Sequence, residues 1–132
     1  MSRLAAFQSH QIPYVWDKVK DHIQRGLDRG SEYTLDDIFV GLCNREFQLW
    51  ISSGDGIEAA MVTSIQTDRQ GITFCLLLAV GGENMNEWKN FLPQVEQWAK
   101  DEGATEMRIF GRRGWARALG YDIKYTAIGK TL

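Results

Sequence analysis

Apolar and polar positions recur along this chain with two different periods, and each change of period marks a new element. Val15, Trp16, Val19, Ile23 and Leu27 fall at helical spacing behind Pro13, which suits a first helical turn, and Gly26 and Gly30 are expected to close that helix. Thr34 then has the chemistry of an N-cap. Asp36 and Asp37 favour the positive end of a helix dipole, and Leu35, Ile38, Phe39 and Leu42 share one face of a second helix. The chain is therefore expected to open with two helices.

Phe47 to Ile51 reads as a strand, Ser53-Gly54-Asp55-Gly56 as a hairpin turn, and Ile57 to Thr67 as a longer returning strand. Asp68-Arg69-Gln70-Gly71 supplies the next turn. The run Ile72 to Val80 that follows is apolar without interruption, so it belongs in the interior of a sheet covered by helices on both faces. It ends in Gly81-Gly82 and leads into Trp88, Phe91, Leu92, Val95, Trp98 and Ala99, again at helical spacing. Pro93 interrupts that pattern and predicts a bend before it. Gly103 provides the stop and Thr105 to Phe110 another strand, which makes a strand–helix–strand crossover and hence a parallel pair. Arg112 to Leu119 reads as a short helix closed by Gly120, and Tyr121 to Leu132 as a final strand.

At 132 residues, residues 1–132 are expected to form one domain that buries its own core. The balance of 15 basic against 17 acidic residues gives a net charge of −2 and no global attraction to nucleic acid or an anionic membrane. No stretch has the length of a membrane span and the amino terminus is too soon polar for a signal peptide, so a soluble cytoplasmic protein is expected. Cys43 and Cys75 lack metal or redox spacing and read as small buried hydrophobes.

Little in the chain has the look of a catalytic constellation. No Ser/His/Asp or Cys/His arrangement and no metal-ligand spacing is present, which leaves Glu58 as the candidate general base, with His22 read as a helix-surface residue. Arg108, Arg112, Arg113 and Arg117, with Lys124, form a candidate basic patch. Within it Arg112 and Arg113 stand at the carboxyl edge of a predicted parallel strand, where α/β sheets bind ligands. If Trp115 is exposed beside them, the three make a candidate partner-binding surface. Trp16, Trp88 and Trp98 are expected in the core. The strand–glycine–helix junction itself is an anion site in outline, because helix N-terminal N–H groups and a positive dipole end converge there.

This order of elements, with Ala118-Leu119-Gly120-Tyr121 closing the short helix, resembles the GNAT superfamily of acetyl-CoA-dependent N-acetyltransferases over nearly the whole chain. Leu49-Trp50, Trp88, Gln97-Trp98-Ala99 and Gly111-Arg112-Arg113-Gly114-Trp115 are similar to small, divergent GNAT-like proteins of tailed bacteriophages. The resemblance implies an α/β (α+β) fold: a GNAT-like mixed central sheet with two amino-terminal helices, one long crossover helix and a short carboxyl-terminal helix. It implies acetyl-CoA as cofactor, with Leu78 to Val80 along the pantetheine arm and the backbone near Leu78 on the thioester carbonyl. The amides of Gly81, Gly82, Glu83, Asn84 and Met85 would then hold the pyrophosphate, and Glu58 would serve as base for a primary amine acceptor.

The chain also departs from that pattern. The family loop carries Arg or Gln ahead of its glycines, whereas Gly81-Gly82-Glu83-Asn84-Met85-Asn86-Glu87 has no basic side chain and two carboxylates. Trp115 and Ala116 stand where members often carry a proton-donating Tyr, and Tyr121 takes the place of a packing aromatic. These departures favour a second expectation, a non-catalytic GNAT-fold module that binds a host or virion protein in the host cell cytoplasm, with no nucleic-acid or membrane partner.

Overall fold

In the computed structural model, residues 3–28, 33–82, 85–109, 121–122 and 130–131 are described, the side chains of 85–89 excepted. Five strands lie in the order β1-β2-β3-β4-β5: β1 (Arg3–Phe7), β2 (Gln48–Ser53), β3 (Ile57–Thr67), β4 (Thr73–Gly82) and β5 (Glu106–Ile109). The first four are antiparallel neighbours, and β4 and β5 run parallel. Helices α1 (Ile12–Leu27) and α2 (Leu35–Cys43) precede β2, and α3 (Met85–Asp101) makes the crossover from β4 to β5.

The sequence missed β1. Arg3-Leu4-Ala5-Ala6-Phe7 has no clean alternation because it is a half-exposed edge strand, formed by pairing with Leu49–Ser53 rather than by local pattern. A short 3-10 helix (Ser9–Gln11) then leads into α1, with Pro13 in its first turn as expected. Thr34 caps α2 as the sequence indicates: its hydroxyl accepts from Asp37 N at 3.1 Å, while the Asp37 carboxylate accepts from Thr34 N at 3.0 Å. The bond from the Thr34 amide, followed by the Thr34 hydroxyl, holds the Asp37 carboxyl below its usual range. Asp68 closes the β3–β4 turn by accepting from Gln70 N and Ile72 N, and Gly71 adopts φ 85° there.

The sheet separates two cores. On one face Val19 and Ile23 of α1 and Ile38 and Leu42 of α2 meet Leu49, Ile51, Ala60, Val62, Phe74 and Leu76. On the other, Leu92 and Val95 of α3 meet Trp50, Ala59, Met61, Leu77 and Val80. Strand β4 is buried from Phe74 to Gly81, as its unbroken apolar run predicts. Helix α3 runs through Pro93 as one element. Gly103, at φ 95°, follows its end.

Several side chains depart from their sequence reading. Arg108 is not part of an exposed basic patch: its guanidinium lies 3.9 Å over the Phe74 ring, 2.8 Å from Asp68 Oδ2 and 3.3 Å from Glu106 Oε1. Trp50 is core, donating to Thr63 Oγ1 at 3.0 Å and meeting Trp98 edge to face. Trp16 and Trp98 pack as expected; the side chain of Trp88 lies outside the described residues. The predicted short helix 112–119, the final strand beyond Tyr121 and Lys124 also lie outside them. No helix among the described residues is long and apolar enough to cross a membrane.

Candidate functional site

Strand β4 extends beyond its last described pair with β5. Pairing with β5 begins at Phe74↔Glu106 and its last described pair is Leu77↔Ile109, whereas β4 continues to Gly82. Among the described residues, Leu78 to Gly82 thus have β3 along one edge and no strand along the other. The pairing of β4 with β3 is irregular here: Thr63 pairs with Leu77 and Val62 with Ala79, which leaves Leu78 as an extra residue opposite neither.

That bulge reverses which side chains face which core. Before it Phe74 and Leu76 point to the α1 face; after it Ala79 does, and Leu78 and Ala79 stand in succession on that same face. Val80 faces α3 instead. The apolar run hid this reversal, since a strand buried on both faces gives no period to lose. Three residues past Gly82, α3 begins at Met85, so β4 is followed closely by a helix N-terminus.

The two glycines have a different role from the one their position suggests. A Cβ on Gly81 would run into the main-chain carbonyl of His22, and one on Gly26 would stand 2.8 Å from Val80 N. Helix α1 therefore rests on the tail of β4 backbone to backbone. Gly82 has φ 134°, and its Cβ position is filled by Ala59 and the Glu58 carbonyl. Both glycines are required by packing within the protein. Gly26 lies inside α1 and seats it on β4; the helix ends after Leu27.

Glu58 is half-buried on β3. The register passes from Ser52↔Ala59 to Ser53↔Ile57, so Glu58 is the extra residue of a second bulge, beside Ile57 of the α1-side core and next to Ala59, the partner of Gly82. Leu78, Val80, Gly81, Gly82 and Glu58 are thus gathered around the end of β4. Met85 is the first residue of α3. Glu83, Asn84, Arg112, Arg113 and Trp115 lie outside the described residues. Tyr121 packs on the α3 side, its hydroxyl 3.4 Å from Glu96 Oε2, and burial, with the Glu96 carboxylate second, raises its hydroxyl well above the ordinary range.

His22 is the residue the sequence reading dismissed. It is half-buried rather than on the surface, and its Nδ1 is enclosed with no hydrogen-bond partner. The signal for it was Gly26, one turn later: a glycine on the apolar side of a helix marks a close approach, which brings its helical neighbours to the same place. No group of three or more His, Cys, Asp or Glu among the described residues is placed to hold a metal ion. A polar groove of about 870 Å³, lined by Gln48, Ser64, Gln66 and Glu102, lies toward the other end of β3 and touches none of these residues.

No protein-family model matches the sequence, and no curated protein matches it. Solved structures do match its fold over nearly its whole length. An aminoglycoside acetyltransferase from an uncultured soil metagenomic sample, solved with sisomicin, superimposes with a TM-score of 0.71 at 8% identity, covering 99% of this chain and 96% of its own. The aminoglycoside N-acetyltransferase AAC(6')-Iy, solved with CoA, gives 0.72 at 13%, covering 100% and 95%. A GNAT family acetyltransferase from Staphylococcus aureus gives 0.65 at 13%, covering 99% and 98%. The fold is that of the GNAT acetyltransferases.

Proposed function

We propose that this protein is an acetyl-CoA-dependent N-acetyltransferase acting on a primary amine. The observation that carries the reading is the tail of β4, whose edge from the Leu78 bulge to Gly82 has no strand partner among the described residues and which leads to the N-terminus of α3. An unpaired strand edge offers alternating N–H and C=O groups, which match the amide groups of a pantetheine arm. A helix N-terminus suits a pyrophosphate. Neighbours of this fold solved with CoA, or with a bisubstrate analogue of CoA and acetylneamine, support the same ligand.

In this reading Leu78 to Val80 run along the pantetheine arm, with the backbone at Leu78 near the thioester carbonyl. The amides from Gly81 and Gly82 through Glu83 and Asn84 to Met85 face the pyrophosphate. Acetyl-CoA supplies an activated acyl group, so the protein's part is to orient the amine, accept its proton and stabilise the oxyanion. Glu58, on the strand paired with Gly82, is the proposed base.

Titration calorimetry with acetyl-CoA tests this. Micromolar binding, weakened by Asn84→Asp, which adds a carboxylate immediately before α3, is the expected result. No detectable heat at millimolar acetyl-CoA overturns it and leaves the protein-binding module, which the loop without a basic residue and the absent Tyr at Trp115 and Ala116 favour, with Arg112, Arg113 and Trp115 as its proposed partner surface. Gly82→Asp is unsuited to the test, because it strains β4 against Ala59 whether or not a ligand binds.

A further inference from the structure

Strand β3 outruns β2. Gln48, the first residue of β2, pairs with Thr63, whereas β3 continues through Ser64, Ile65 and Gln66 to Thr67 with β4 as its one neighbour among the described residues. The chain that would have extended β2 is held elsewhere: the amides of Glu46 and Phe47 both donate to Gly41 O, at 2.9 and 3.1 Å, which turns it back on the end of α2. The space left beside β3 is the groove of about 870 Å³, and all the residues that line it are described. Its volume falls in the range of ligand sites, roughly 300–1,000 Å³.

The hydrogen bonds of the neighbouring ladder fix which backbone groups face that space. Asp68 N donates to Ile72 O at 2.9 Å, and Thr73 O accepts from Thr105 N at 2.9 Å, on the β5 side of β4. Thr67↔Thr73 is therefore a non-hydrogen-bonded pair of the β3–β4 ladder, and by alternation so is Ile65↔Cys75. Ile65 and Thr67 thus turn their N–H and C=O away from β4, Ile65 into the groove and Thr67 just past it. Side chains alternate as well. Ile65 lies on the α3 face with Trp98, and Ser64 and Gln66 lie on the opposite face, where the Gln66 amide donates to Ser64 Oγ at 3.2 Å. Ser64-Ile65-Gln66-Thr67 carries neither a charge nor a proline, the two commonest ways of closing a strand edge to a further strand.

We propose that the groove takes an extended peptide segment of a partner protein as an added strand, antiparallel to β3 in the line that β2 vacates. Backbone N–H and C=O groups spaced as in a strand are matched by another strand. The guest backbone pairs with Ile65 and Thr67, one apolar guest side chain lies against Ile65 and Trp98, and the polar side chains flanking it face Gln48, Ser64 and Gln66. This site is at the opposite end of the sheet from Leu78 to Gly82 and does not depend on the acetyl-CoA reading.

The probe is a phage-displayed library of random heptapeptides selected on the intact protein, the strongest binder then being synthesised with capped ends. Amide exchange is followed residue by residue by NMR. In the free protein the amides of Ile65 and Thr67 are expected to exchange at least about tenfold faster than those of Ser64 and Gln66. The bound peptide should slow Ile65 and Thr67 about tenfold or more, and single N-methylation along the peptide should weaken binding about tenfold at alternate positions only. Four amides that exchange alike in the free protein overturn the proposal. So do a library that yields no binder, a binder that leaves Ile65 and Thr67 unprotected, and an N-methyl scan without alternation.

Discussion

The carbonyl of His22 and the α-carbon of Gly81 are in direct contact, which makes the seat of α1 on β4 a main-chain contact with no side chain between. Such a contact tolerates no added atom. Gly81→Ala is expected to destabilise the fold by about 3 kcal/mol or more, because either the helix lifts or the strand bends. Gly26→Ala, whose Cβ would meet Val80 N at 2.8 Å and Val80 O at 2.9 Å, should cost about 1–3 kcal/mol. Urea midpoints of both variants measure this, and wild-type stability for Gly81→Ala contradicts the packing described.

Arg108 is the second place where a single change should be severe. Its side chain is 9% exposed and stands between Asp68 and Glu106 on the Phe74 ring. Arg108→Met removes the cation that the Asp68 and Glu106 carboxylates share and should cost about 2 kcal/mol or more. The Arg108 hydrogen bond, followed by the Ile72 amide, holds the Asp68 carboxyl below its usual range. A group lowered by folding stabilises above its unfolded value and loses that contribution as pH falls through its folded value. The stability gap between wild type and Asp68→Asn should therefore be full at neutral pH and close on acidification below about pH 4, as read from urea titrations.

The two thiols should behave differently. Burial pushes Cys75 up to about 12, only partly offset by its hydrogen bond with Thr63, whereas Cys43 is half-buried at the end of α2. Alkylation near pH 8 should label Cys43 in the native protein and reach Cys75 only after unfolding. Rapid native labelling of Cys75 is the contrary result.

Trp50 reports on the α3-side core. Trp50→Phe keeps the edge-to-face contact with Trp98 and removes the indole N–H that Thr63 Oγ1 accepts. The buried hydroxyl left without that donor should cost about 1–3 kcal/mol, measured by denaturant unfolding followed through the remaining tryptophans.

Legibility in the sequence followed locality. The Thr34 cap, the Asp68 turn, the Gly103 stop and the apolar run of β4 each depend on residues within a few positions of one another, and all are found where the pattern places them. Strand β1 has no such pattern, because its hydrogen bonds run to Leu49–Ser53 across more than forty positions. Arg108 looked like surface charge because its acidic partner Asp68 is forty residues away.

The site divides in the same way. The chain alone determined a buried strand leading to a helix, and a resemblance to an acetyl-transferring fold. Tertiary structure decided what the glycines are for and which side chains attend that backbone. Gly81 and Gly82 are required by His22 and Ala59, the Leu78 bulge breaks a period that an all-apolar strand cannot display, and Gly26 seats α1 on the backbone of Val80. Those relations depend on atoms from α1, β3 and β4 meeting in space. A linear pattern records the period of each element and carries no information about the contacts between them.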